Sequence, residues 1–119
     1  MRIESLVPGA VLDVQGTLAR FGGDKQLFVE MTTMLLEDAP VLFGQLQTAV
    51  TKKDAADIRM KAHALKGVLS GCGGVRASQV AQLLEDGGRT GELQDAPAQI
   101  ESLEAELASL TQAIHAYRS

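Results

Sequence analysis

The chain has 119 residues, 45% of them hydrophobic and 22% charged, with a net charge of −4. That length fits one domain with one core, and an acidic balance with 3% aromatic residues excludes a basic, base-stacking nucleic-acid surface. No apolar run approaches the roughly 18 residues a bilayer helix needs, "MRIESLVPGA" lacks a signal-peptide pattern, and a single cysteine, Cys72, rules out an intrachain disulfide and fits a reducing cytoplasm.

Residues 1–11, with Pro8 and Gly9 and little periodicity, read as an arm or linker, which leaves 12–119 as the domain. A short helix is expected in "DVQGTLARF", with Leu18 and Phe21 inward. Three Gly-Gly pairs, at 22–23, 73–74 and 87–88, are read as helix ends, where positive φ is often needed. Asp24 is an N-cap for "KQLFVEMTTMLLE", with Leu27, Phe28, Met31 and Leu35 inward. Pro40 marks a fresh helix start with Asp38 as its cap, and this helix runs to about Thr51, burying Leu42, Leu46 and Val50. Asp54 caps the next helix, which reaches Cys72; another spans Val75 to Asp86. Asp95 caps the last helix, whose apolar residues at 100, 103, 107, 110, 114 and 117 alternate steps of three and four. There is no strand alternation and no hairpin dipeptide. The short connections predict antiparallel neighbours. The expected fold is all-α: an antiparallel up-down four-helix bundle with one or two short N-terminal helices.

One stretch, "KAHALKGVLSGCGG" at 61–74, carries chemistry. The apolar seam of its helix is Ile58, Ala62, Leu65, Leu69 and Cys72. At about 100° per residue, His63 lies roughly 140° from the centre of that seam and faces solvent or a shallow groove. Arg59, Lys66, Gly67 and Ser70 share its side. Gly67 sits inside the helix, where glycine costs about 1 kcal/mol relative to alanine, a cost that suggests close approach of another body. Lys66, three residues on, places a cation beside anything attached to the imidazole. A bare, cation-flanked imidazole on a rigid helix suits a phosphoryl group. The plainer reading, an incidental surface histidine, carries about equal weight on spacing alone.

Other chemistries fit less well. A helical metal site needs a further ligand at i+3 or i+4, where Lys66 and Gly67 stand. Ser70 lies on the same face as His63 but with no oxyanion nest, so a hydrolytic triad is not supported. "SGCGGVR" lacks the third glycine of a dinucleotide fingerprint, and there is no GxxxxGK[ST] phosphate loop. His115 sits in the last turn of the terminal helix, where the dipole alone accounts for it.

"AHALKG", then "CGG" and "LLE", resembles the signature of histidine-containing phosphotransfer (HPt) domains: an A-H-x-L-K-G core, a glycine ten places after the histidine and a Leu-Glu on the next helix. Here those are Ala62, His63, Leu65, Lys66, Gly67, Gly73, Leu84 and Glu85. "LARFGGDKQLF", "EDAPVLFGQLQTAVTKKDAADI" and "GGRTGEL" are similar to the family's flanking segments, so the resemblance covers about residues 12–117. Val68, Leu69, Gly71 and Ala77 depart from the family pattern, which bears on the packing and end of this helix.

The resemblance implies a four-helix bundle without its own kinase or ATP-binding domain. It implies a phosphoryl group taken by His63 from a receiver-domain aspartate and passed to another receiver. It also implies no cofactor or metal on this chain, with Mg²⁺ supplied by the partner. His63 would react through Nε2 in its neutral form, and a free imidazole, with an ordinary pKa of about 6.5, is mostly neutral at pH 7. Glu85, or Gln82 a turn earlier, is the candidate to hold the Nδ1 proton, against the plainer reading of a solvated helix face. Lys66 would neutralise phosphate charge and Gly67 would admit the partner. Arg59 and Ser70 are candidates for docking. The partners implied are response-regulator receivers or a hybrid sensor kinase, meeting a cytoplasmic monomer without nucleic-acid or membrane contact. The competing class is a non-catalytic helical interaction module with His63 incidental. Kinase fragments fit less well, because they work beside an ATP-binding domain on the same polypeptide.

Overall fold

Three aspartates start three helices by turning a carboxylate back onto an unpaired N–H of the first turn. In the computed structural model, which describes residues 9–119, Asp13 accepts from Gly16 N at 3.0 Å and opens α1 (Val14–Arg20). Asp24 accepts from Leu27 N at 3.0 Å and opens α2 (Lys25–Thr51). Asp54 accepts from Asp57 N at 3.1 Å and opens α3 (Ala55–Gly71). Two further helices follow, α4 (Val75–Thr90) and α5 (Ala96–Arg118). Asp95 occupies the N-cap position of α5 but makes no side-chain cap bond. Its backbone is already helical (φ −92°, ψ −6°), unlike the extended backbone of a capping residue, and Pro97 in the first turn favours the helix start.

The four long helices pack as an all-α, up-down bundle. α3 lies against both α2 and α4, and α5 closes the bundle by touching α4 and α2. The core is a continuous aliphatic cluster that includes Leu35, Leu46, Ile58, Leu65, Leu69, Leu84, Leu103, Leu110 and Ile114. The seam expected on the histidine-bearing helix is fully buried, from Ile58 to Cys72. Each buried leucine or isoleucine contributes about 1.5–3 kcal/mol of transfer free energy. Of the residues that depart from the family pattern, Leu69 and Ala77 are buried in this core and Val68 packs against it.

Besides the missing Asp95 cap, three sequence expectations change. First, α2 runs through Pro40 without a break. Proline removes the bond to the carbonyl four residues earlier, but Pro40 is solvent-exposed, so water can hydrate the freed Leu36 carbonyl. The inward positions 28, 32, 35, 39, 42, 46 and 49 keep one unbroken three-four alternation across it. Asp38 therefore lies mid-helix and caps nothing. Second, α4 passes Gly87 and Gly88 and ends at Gly91, which is left-handed (φ 82°). Gly88 is there for contact: a Cβ on it would come within 2.7 Å of both Ala55 O and Arg59 N on α3. Third, Leu27 is 37% exposed, not inward. It stands in the first turn of α2, whose inward residue is Phe28, packed edge-on to Tyr117 at 5.1 Å.

The short helix α1 is clipped to the corner between α3 and α4. Asp13 N donates to Gly73 O at 2.8 Å, and Arg20 Nη2 donates to Ser70 O at 3.3 Å. Thr17 is its fully buried residue and donates to Asp13 O at 2.6 Å, while Leu18 and Phe21 are half-buried. Gly73 turns this corner at φ 83°, and a Cβ there would strike Thr17 Oγ1 and Asp13 O. Upstream, Ala10 O accepts from Arg76 N at 3.1 Å, and Val11 and Leu12 pack against the core. The first eight residues of the expected arm lie outside the described residues.

Candidate functional site

His63 stands on the outer face of α3 with its side chain 70% exposed. One ring nitrogen is engaged: Nδ1 lies 3.2 Å from Glu85 Oε2 on α4. A carboxylate only accepts, so at this contact Nδ1 is the N–H donor and, in the neutral ring, Nε2 carries the lone pair. Nε2 has no hydrogen-bond partner among the described residues.

Glu85 is itself held. Its side chain is 17% exposed, and its other oxygen, Oε1, takes the Lys66 ammonium at 2.8 Å. Lys66 Nζ also donates to Gln82 Oε1 at 2.8 Å, and Gln82 Nε2 donates to Asp86 Oδ1 at 2.9 Å. Arg89 Nη2 completes the row on Asp86 Oδ1 at 3.1 Å. Burial alone would raise the Glu85 pKa. The hydrogen bonds and charges of Lys66 and His63 outweigh it and hold the carboxyl below its ordinary 4.5. Glu85 is therefore a carboxylate across the neutral range.

Of the two orienting candidates, Glu85 faces the imidazole and Gln82 faces Lys66 instead. Gln82 lies one turn further from Gly88, toward the start of α4. Lys66 points across to α4, into the Glu85–Gln82 pair, and not out along the imidazole. Gly67 has open space where a side chain would be, with no atom within 4 Å of a built Cβ. Among the described residues nothing requires glycine there. Arg59 and His63 line a shallow hollow of about 460 Å³ together with Met60, Glu85 and Arg89. Ser70 lies elsewhere, on a second hollow of about 330 Å³ shared with Asp13, Gly16 and Arg20.

Sequence reasoning missed Met60, Asp86 and Arg89. Met60 is 59% exposed, one turn before His63 on the same face. Arg89 follows Glu85 by one turn of α4, and that spacing was the available signal. Among the described residues no group of three or more His, Cys, Asp or Glu side chains has a metal-holding arrangement. No helix of the structure is long and apolar enough to cross a membrane.

Residues 30–113 match the Hpt domain family. Among solved structures, the chain is similar to histidine-containing phosphotransfer protein B (HptB) from Pseudomonas aeruginosa PAO1, with 29% identity and a TM-score of 0.83 over 93% of this chain and 96% of that one. It is also similar to the HPT domain of a sensor hybrid histidine kinase from Shewanella, with 26% identity and a TM-score of 0.77 over 90% of this chain and 92% of that one. Comparison with curated proteins gives no match.

Proposed function

Because this chain belongs to the Hpt domain family and acts in histidine phosphotransfer within two-component phosphorelays, we propose that His63 is its phosphoryl carrier. The observation that carries this reading is the Nδ1 contact with Glu85, which leaves the opposite nitrogen, Nε2, unpartnered on an exposed face.

In the proposed reaction Nε2 attacks the phosphorus of a receiver's aspartyl phosphate. The P–O bond to the aspartate breaks, the P–Nε2 bond forms, and the receiver carboxylate departs with the electron pair. Nδ1 keeps its proton, so positive charge builds on the ring as Nε2 gives up its lone pair. Glu85, already ionised and in contact, stabilises that charge and fixes the tautomer, the task carboxylates perform behind other reactive imidazoles. Transfer onward to a second receiver is the same step in reverse. The barrier is lowered mainly by positioning and charge, as for phosphoryl transfer generally.

The divalent cation such transfer uses would sit on the receiver, and this chain would bind no cofactor. Hpt domains interact with receivers and hybrid kinases. The reading here is a cytoplasmic monomer, a bundle spanning 12–119, that is not itself a kinase and meets its receivers over the open surface beside Gly67 and Met60.

The test is phosphotransfer from phosphorylated receiver domains to wild type and His63→Gln, following acid-labile, base-stable label. Label on wild type alone is expected. Label on both would shift the carrier to His115. Label on neither, with both folded and several receivers tried, would leave a helical interaction module.

A further inference from the structure

The hollow beside His63 contains two arginines in different electrostatic states. Arg89 is committed to Asp86 at 3.1 Å. Lys66, three residues after His63, is committed to Glu85 and Gln82, both at 2.8 Å. Arg59 also lines the hollow but has no hydrogen-bond or ion-pair partner among the described residues. It stands one turn before His63 on α3, and both side chains border the same hollow.

Resting on the assignment of His63 as carrier, we infer that Arg59 is the side chain that holds the phosphoryl group on Nε2. A phosphoryl group brings close to two negative charges and three acceptor oxygens. The neighbouring cations are already neutralised by Glu85 and Asp86, so the new charge meets one uncommitted guanidinium. Guanidinium geometry matches two phosphate oxygens at once, and an exposed arginine reaches them without leaving another partner unpaired. Lys66 and Arg59 thus divide the work: Lys66 steadies the carboxylate behind the ring, and Arg59 receives the anion in front of it.

The experiment separates this role from contact with a receiver. Phosphoramidate alone is the probe: its P–N bond breaks, ammonia leaves, and the P–Nε2 bond forms with no partner protein present. Phosphohistidine is followed by phosphorus NMR on wild type, Arg59→Ala, Arg59→Lys and Arg118→Ala. Arg59→Ala is expected to slow phosphorylation about tenfold, the low end for a lost hydrogen bond to a charged group. Arg59→Lys should recover part of the rate and Arg118→Ala all of it. Arg59→Ala should also shift the phosphorus resonance of the phosphoprotein. Wild-type rates and shifts in Arg59→Ala would overturn the inference. So would a loss seen only when a phosphorylated receiver is the donor, because Arg59 would then serve docking. His63→Gln run alongside should take no label; label there would overturn the carrier assignment beneath it.

Discussion

Glu85 Oε2 lies 3.2 Å from His63 Nδ1, 22 residues apart in the chain, and the pair joins α3 to α4 at the point where the chemistry is proposed. The contact gives the imidazole one defined tautomer and one defined tilt. It also makes Glu85 a titrating group whose charge matters to the fold.

Glu85→Gln tests that charge. The Glu85 carboxyl is held below its ordinary 4.5 against the opposing effect of burial, chiefly by the Lys66 hydrogen bond and then by His63. A depressed folded pKa contributes stability that is present above the unfolded value and is lost as pH falls through the folded one. Urea unfolding should therefore separate wild type from Glu85→Gln at pH 7, and the gap should narrow at pH 3. A gap of equal size at both values would remove the ionic role. Phosphotransfer should fall by about tenfold or more, the low end for losing a carboxylate that orients a metal-ligating imidazole.

Lys66→Met asks what the lysine is for. Removing the ammonium strips Glu85 Oε1 of its partner at 2.8 Å while that carboxylate remains mostly buried. An unsatisfied buried acceptor costs about 1–3 kcal/mol. Lys66→Met and Glu85→Gln should be non-additive, with a coupling of about 0.5–3 kcal/mol for residues in one network. Simple additivity in a double-mutant cycle would mean the pair is incidental.

Gly67→Ala should move stability and function in opposite directions. With nothing within 4 Å of a built Cβ, alanine fits without strain. It should stabilise α3 by about 1 kcal/mol in thermal or urea unfolding. If the glycine serves a partner's close approach, transfer from a phosphorylated receiver slows while labelling by phosphoramidate is unchanged. Undiminished transfer from the receiver would assign Gly67 no part in docking.

The all-α class and the inward seam of α3 were legible in the sequence because both rest on local signals: aspartate caps and three-four spacing. The bare face carrying His63 followed from the same wheel. Pro40 misled because the rule that proline ends helices is steric and local, whereas the unbroken seam from Phe28 to Ala49 is a tertiary demand that an exposed proline tolerates. Gly87 and Gly88 misled for a related reason. Glycine answers both to turns and to close packing, and the sequence does not say which until the neighbouring helix is in place. The choice between Glu85 and Gln82 was illegible for the same cause, since the two lie on one face of α4 and the rotation of α4 against α3 decides between them. Arg89 and Met60 joined the hollow only once the two helices were side by side.

Pro40→Ala probes the tolerated proline. Alanine would restore the N–H that bonds the Leu36 carbonyl and remove a residue that costs about 3 kcal/mol in a helix interior. A rise in the urea midpoint is expected with no change in phosphotransfer, because Pro40 lies on α2 and takes no part in the hydrogen bonds of His63 or Glu85. A fall would mean the proline sets a bend that the core depends on.

Gly88 sits one turn beyond Glu85, and the backbone it touches, at Arg59, sits one turn before His63. The missing side chain is thus the caliper of the site. It sets the gap between two helices to a span that one glutamate can bridge to one imidazole. A residue with no functional group of its own thereby spaces the proposed carrier from its carboxylate, and a single added methyl group would come within 2.7 Å of the facing backbone.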